Sequence, residues 1–285
     1  MSTLLATVPL PPIHFKASSF QNVFSIAQMV VCGAMFLLAF RELRKGHGPI
    51  MLWCLLGGFI AVLWEPIVDV LGQCWLPTRG QHWEAFTLLN RHIPLMMPFV
   101  YSWFVGGQAY LFYRMFTRGS TRRQLFQLWG IVFLVNIALE TPGIVENVYT
   151  YYGKQPFDIW GFPLWWGFIN PLMPMIAATL IYKLKPHLSA LPLAVATIMI
   201  VPCSDGVANA FAGWPVIAAL NTNVGYVGSW IAGFVTLGLA AFVVWIIGLA
   251  VGVPEHATEP IAETARAVNG LAQPTSIPTG TVARA

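Results

Sequence analysis

Charge is what this sequence has least of. Only 9% of its 285 residues are Asp, Glu, Lys or Arg, against roughly a quarter in an ordinary soluble domain. Hydrophobic residues make up 57% and the mean hydropathy is +0.67. That excludes a water-facing surface of normal composition, and it also excludes disorder over most of the chain. Cysteine is scarce too. Cys32, Cys54, Cys74 and Cys203 lie in or at the ends of apolar runs without CxxC spacing, so they read as small core residues and say little about redox compartment. The six histidines are scattered, which leaves no ligand spacing for a metal. Neither GxxxxGKS, GxSxG, HExxH nor GxGxxG occurs, so phosphate-loop, serine-hydrolase, zinc-protease and dinucleotide chemistry lose their usual signals. No metal and no cofactor is expected.

What is present is a series of long apolar runs. A helix crosses roughly 30 Å of hydrocarbon with about 20 residues, and runs near 22–40, 50–72, 93–113, 125–147, 162–182, 190–212 and 224–251 meet that length. None alternates as a membrane barrel strand does, and backbone in lipid must satisfy its own hydrogen bonds. The expectation is an all-α, polytopic membrane bundle of about seven transmembrane helices. Residues 1–21 form an extramembrane segment, 22–252 the transmembrane domain and 253–285 a disordered cytoplasmic tail. The first run is retained, because Pro9, Pro11 and Pro12 with Lys16 do not make a cleavable leader. No lysine lies in the seventh run, which disfavours a retinal Schiff base.

Basic residues orient the bundle, since positive charge collects in cytoplasmic loops. Nine of the 15 follow the first, third and fifth runs: Arg41, Arg44, Lys45, Arg114, Arg118, Arg122, Arg123, Lys183 and Lys185. The N-terminus is then outside and the C-terminus cytoplasmic, in a multi-pass protein of the cell membrane. The net charge of +4 follows from this topology and calls for no nucleic-acid partner.

Four of the 11 acids lie inside the runs: Glu65 and Asp69 in the second, Glu140 in the fourth and Asp205 in the sixth. Each of the three helices places its acid about 15 residues in, roughly 23 Å along its axis, so Glu65, Glu140 and Asp205 share one layer in the outer half of the membrane. Each also carries a polar residue four positions away: Asp69 after Glu65, Asn136 before Glu140, Asn209 after Asp205. Residues four apart share a helical face. Asn170 and Tyr101 reach the same depth from the outer side. No Lys or Arg lies within the runs to neutralise these acids. A charge in hydrocarbon is costly, so such groups face a cavity, pair or carry a proton, and a carboxyl that keeps its proton is what a general acid requires. Any one of these residues alone reads as interhelical glue; the set reads as an acid–base site, with Glu65, Glu140, Asp205 and Asp69 catalytic and Asn136, Asn170, Asn209 and Tyr101 orienting. Trp75, Trp160, Trp165 and Trp166 fall where interfacial aromatics belong, with Trp165 also a candidate cavity wall.

Two blocks resemble the AveC-like spirocyclase family, multi-pass proteins typified by the spiroketal-forming cyclase and dehydratase of avermectin biosynthesis. The first is Trp64-Glu65-Pro66-Ile67-Val68-Asp69, similar to a family motif in which an acid precedes Pro, an apolar pair and Asn. The second is Leu139-Glu140 with Tyr149 and Tyr151 downstream, then Phe162-Pro163-Leu164. The family pattern has Asp where Glu65 stands and Asn where Asp69 stands. The resemblance implies closure of a lipid-soluble hydroxyketone to a spiroketal, with or without dehydration, in secondary-metabolite biosynthesis. It adds Trp64, Tyr149 and Tyr151 to the substrate-binding residues.

Spiroketal closure needs a proton for the departing oxygen and a base for the attacking hydroxyl, with water kept out. The same residues suit protonation of an isoprenoid alkene or epoxide by a terpene cyclase. They also suit a proton relay in a transporter or a receptor-like binding protein. The site reading expects the carboxyls to surround one pocket of several hundred Å³. Oligomeric state is left open.

Overall fold

Long apolar runs with their backbone groups satisfied internally become helices, and the computed structural model, which describes residues 8–81 and 83–252, is built from them. The predicted tail at 253–285 and the first seven residues of the predicted N-terminal segment lie outside the described residues. Among the described residues six helices are long and apolar enough to cross a membrane: α1 (Phe20–Arg44), α2 (Ile50–Gly72), α4 (Arg122–Val145), α5 (Leu164–His187), α6 (Ala190–Leu220) and α7 (Gly225–Val251). Residues 96–117 form a further helical run, α3, whose middle, Ser102–Gly107, is a π-helical turn. Ser102, Gln108 and Arg114 make α3 less apolar than the others.

The ends of the helices have local causes. Gly46 and Gly48, with positive φ, turn the chain between α1 and α2. Gln73 adopts the left-handed conformation and stops α2. Thr121 and Gln124 form a reciprocal capping box that starts α4. The predicted start of the third run at 93 and of the fifth at 162 fall in short strands. Isoleucine and phenylalanine there suit an extended ribbon as well as a helix.

Helices α2, α3, α5 and α6 close a ring, each touching the next, with α1, α4 and α7 packed around it. Where lipid and side chains are equally apolar, close backbone approach drives packing, and glycine provides it. A Cβ on Gly58 would lie 2.6 Å from the Tyr101 carbonyl of α3, and one on Gly57 2.7 Å from the Ile198 carbonyl of α6. The Ser102 hydroxyl donates to the Leu55 carbonyl at 2.9 Å across the same crossing.

One end of the bundle carries three antiparallel ribbons. β1 (Cys74–Trp75) pairs with β4 (Thr150–Tyr151), β2 (Glu84–Leu88) with β3 (Arg91–Pro94), and β5 (Asp158–Ile159) with β6 (Phe162–Pro163). Side chains stitch them to the helices. Gln73 donates to the Leu220 carbonyl at 2.8 Å, Gln155 to the Gly72 carbonyl at 2.9 Å and Asn221 to the Leu71 carbonyl at 2.7 Å. The other end holds the helix termini with Arg44, Arg114, Arg122 and Lys183.

Candidate acid–base site

Beneath the ribbons lies a cavity of about 80 Å³ whose walls include Glu65, Asp69, Glu140 and Asp205 together with Tyr101, Tyr149, Tyr151, Asn136 and Asn170. Four acids from three helices therefore meet at one place, although two lie on α2, one on α4 and one on α6. The i,i+4 spacings act locally. Asn136 donates to Glu140 Oε1 at 3.3 Å, and Asn209 donates to Asp205 Oδ1 at 2.9 Å. Asn170 of α5 donates to Asn136 Oδ1 at 3.1 Å, which fixes the Asn136 amide with its nitrogen toward Glu140.

Two irregular turns bring the other groups in. Tyr101 is the last residue before the π turn of α3, and its hydroxyl donates to Glu65 Oε2 at 2.5 Å while lying beside Asp205. A second π turn, Asn209–Gly213, begins four residues after Asp205 in α6. Such turns interrupt the regular ladder and recur at functional sites.

Tyr149 and Tyr151 stand two apart in extended chain and so share a side of it. Tyr149 donates to Glu140 Oε2 at 2.6 Å, and Tyr151 approaches the same oxygen at 3.5 Å. Burial, reinforced by nearby Glu140, pushes both hydroxyls well above the usual phenol range, so they remain protonated donors. Burial and the neighbouring carboxylates do the same to the Cys74 thiol, which keeps it from acting as a thiolate.

Not every polar atom is satisfied. Asp69 Oδ2, Asp205 Oδ2 and Trp166 Nε1 are buried without a hydrogen-bond partner, and their residues all line the cavity. Buried polar atoms are normally paired, and these three unpaired ones border the same cavity.

Several sequence expectations are corrected. Trp64 does not face the cavity; its ring packs against α6, where a Cβ on Gly206 would come within 2.7 Å of it. Trp165 is fully buried and donates to Gln155 at 3.0 Å, and its stacked neighbour Trp166 lines the cavity instead. Asn209 is not one of these corrections: it lies off the cavity wall and donates to Asp205, the contact an orienting residue makes. Apart from these corrections, His92 pairs with Glu84 at 2.9 Å in the β2–β3 ribbon.

A cation does reach this layer. Arg91, on β3 and 6% exposed, stacks over Trp75, donates to Tyr152 at 3.2 Å and lies near enough for its charge to act on Asp69. It comes from outside the helices, so a count of charges within the runs misses it. Cys74 escapes the helical-spacing argument for a similar reason, because the chain leaves the helix at Gln73. The free volume is also far below a pocket of several hundred Å³. It has room for a few waters, and a larger ligand requires the apolar walls to part. Met97, Met173, Phe24 and Phe104 form much of those walls, and methionine is the side chain most easily rearranged.

Among the described residues no group of three or more His, Cys, Asp or Glu is gathered as metal ligands would be. No family model matches the chain, and neither the curated proteins nor the solved structures contain a match.

Proposed function

We propose that the chain is a seven-span acid–base cyclase of the cell membrane, N-terminus outside and C-terminus cytoplasmic, that closes a lipid-soluble hydroxyketone to a spiroketal with loss of water. The observation that carries the reading is the pair of differently furnished carboxyls in one cavity. Glu140 is surrounded by three hydrogen-bond donors, whereas Glu65 shares its surroundings with Asp69 and Asp205. The likeness of the Trp64–Asp69 and Leu139–Glu140 blocks to AveC-like spirocyclases supports the same chemistry.

Three carboxyls in so small a space are not all charged at once, so the Glu65 cluster supplies the proton and Glu140 the base. In the first half-reaction Glu65 protonates the ketone oxygen, a substrate hydroxyl attacks the carbonyl carbon, and Glu140 Oε2 takes the hydroxyl proton. A hemiketal results, with one proton moved from Glu65 to Glu140. In the second, Glu140 returns its proton to the hemiketal hydroxyl, which leaves as water. The second substrate hydroxyl closes on the oxocarbenium carbon and gives its proton to Glu65. The two halves restore both carboxyls, and one water is released. The ribbons exclude bulk water, so the cation closes on the internal nucleophile. Tyr101, between Glu65 and Asp205, passes a proton within the cluster.

The test is conversion of a long-chain dihydroxyketone by protein in detergent, read as loss of one water by mass. Turnover should vanish in Glu65→Gln and in Glu140→Gln while both proteins still insert. Full activity in both variants would sink the proposal. The small closed volume favours one second reading, a proton-coupled transporter. It predicts an unchanged substrate whose flux into liposomes follows the proton gradient.

A further inference from the structure

A second cavity, of about 650 Å³, lies at the opposite end of the molecule and shares no residue with the acid site. It is a groove between α1 and α3, which run side by side in the same direction. Trp103 donates to Gln28 at 2.9 Å at one end, and Arg114 donates to Glu42 at 3.1 Å at the other. From Val31 to Lys45 the α1 wall extends roughly 20 Å at 1.5 Å per residue, the reach of a fatty acyl chain. Val31, Met35, Trp103 and Leu111 line the apolar part, and Lys45, Arg114 and Arg118 stand at the rim with the single acid Glu42.

The charges at the rim do not cancel. Glu42 lies 3.7 Å from Lys45, 3.1 Å from Arg114 and 2.7 Å from His47, so one carboxylate serves all three. No carboxylate among the described residues pairs with Arg118. Two net positive charges remain, complementary to a phosphodiester. An independent observation points the same way. Gln108 lines the groove and is 8% exposed, yet its Oε1 has no hydrogen-bond partner. Between its acyl chain and its phosphate a diacyl phospholipid carries ester carbonyls, which the amide nitrogen of a Gln108 side chain in the groove wall can serve as donor.

We infer that this groove binds an anionic phospholipid of the surrounding bilayer, with an acyl chain along Val31, Met35 and Leu111, its phosphate at Lys45, Arg114 and Arg118, and an ester carbonyl accepting from the Gln108 amide. Two basic residues near the membrane surface together favour an anionic over a zwitterionic lipid by about tenfold or more. The cavity is separate from the acid site, so the inference stands or falls independently of the cyclase reading.

The test uses the full chain in neutral detergent micelles doped with equal amounts of phosphatidylglycerol and phosphatidylcholine of matched chains, with bound lipid counted by native mass spectrometry. Phosphatidylglycerol should be retained about tenfold over phosphatidylcholine. The double variant Lys45→Ala with Arg118→Ala should remove most of that preference, and Gln108→Leu should weaken retention while leaving every rim charge in place. Arg41→Ala with Arg44→Ala removes two charges of the same end that do not line the groove and should leave retention unchanged. Equal retention of the two lipids by the wild type overturns the inference, as does equal loss in the two double variants. Displacement of the lipid by glycerol phosphate at equal concentration also overturns it, because a soluble phosphate would then suffice.

Discussion

Glu140 and Asp205 are both carboxyls on apolar helices, and they are treated in opposite ways. Glu140 has donors on both oxygens, from Asn136, Tyr149 and Tyr151. Asp205 has Asn209 on Oδ1 and nothing on Oδ2, and Asp69 likewise leaves Oδ2 open. Leaving a buried acceptor unpaired costs about 1–3 kcal/mol. The saturated carboxyl is held as an acceptor in a fixed position, and the open ones are held ready for a proton or a ligand. Under the proposed cyclase reading, acid and base roles are separated by the donors around each group and not by its residue type.

The comparison breaks most visibly if the carboxyls are neutralised. Glu140→Gln keeps the shape but presents an amide to Tyr149, and Glu65→Gln removes the transferable proton; each should lower turnover by about 10²–10⁴-fold, read as product formed by folded protein in detergent. Tyr149→Phe takes the shortest donor from the saturated carboxyl and Tyr101→Phe takes the bridge from the open cluster. The first should cost about tenfold, the worth of one hydrogen bond to a charged group, and the second, a bond to a protonated carboxyl, about threefold. If the asymmetry is real, Tyr149→Phe shifts the basic requirement in the pH–rate profile and Tyr101→Phe does not.

Gly143→Ala sharpens the same point without touching a polar group. Its Cβ would meet the Tyr149 ring at 2.6 Å, so the ring must move off Glu140, with a stability loss of about 1–3 kcal/mol and a kinetic defect like that of Tyr149→Phe. Gly206→Ala displaces Trp64, whose ring packs between α2 and α6, and should lose stability while keeping most activity. The smallest effect belongs to a carboxyl in water. Hydrogen bonds from Thr87 and His92 hold Glu84 below the usual carboxylate range. Its contribution to stability is therefore present above the unfolded value and is lost as the pH falls through the folded one. Glu84 is exposed, so Glu84→Gln should change thermal stability between pH 3 and 6 by at most a few tenths of a kcal/mol after solvent screening.

Helical periodicity carried much of this arrangement in advance, and its reach has a definite limit. Asn136 beside Glu140 and Asn209 beside Asp205 follow from the rise and turn of one helix, and the apolar runs mark six long helices because hydrocarbon demands their length. What came from between the helices was hidden. Arg91, Cys74 and the choice of Trp166 over Trp165 depend on ribbons that pair residues far apart, such as Cys74 with Tyr151, and no local spacing encodes such a pairing. The volume of the cavity was hidden too, because it is set by how Met97, Phe104 and Met173 fill space and not by which polar groups converge.

The π turn in α3 has one more consequence. A turn closed by i→i+5 bonds holds one residue more than its α-helical equivalent, and one residue is about 100° of rotation. The stretch Ser102–Gly107 therefore works as a phase shifter on a single shaft. Above it Tyr101 is aimed at the acids, and below it Gln108 is aimed at the basic groove. Deleting one residue between them would restore a continuous thread and swing one of the two side chains out of its chamber, so the two chambers can be occupied by the same helix only while that extra residue is kept.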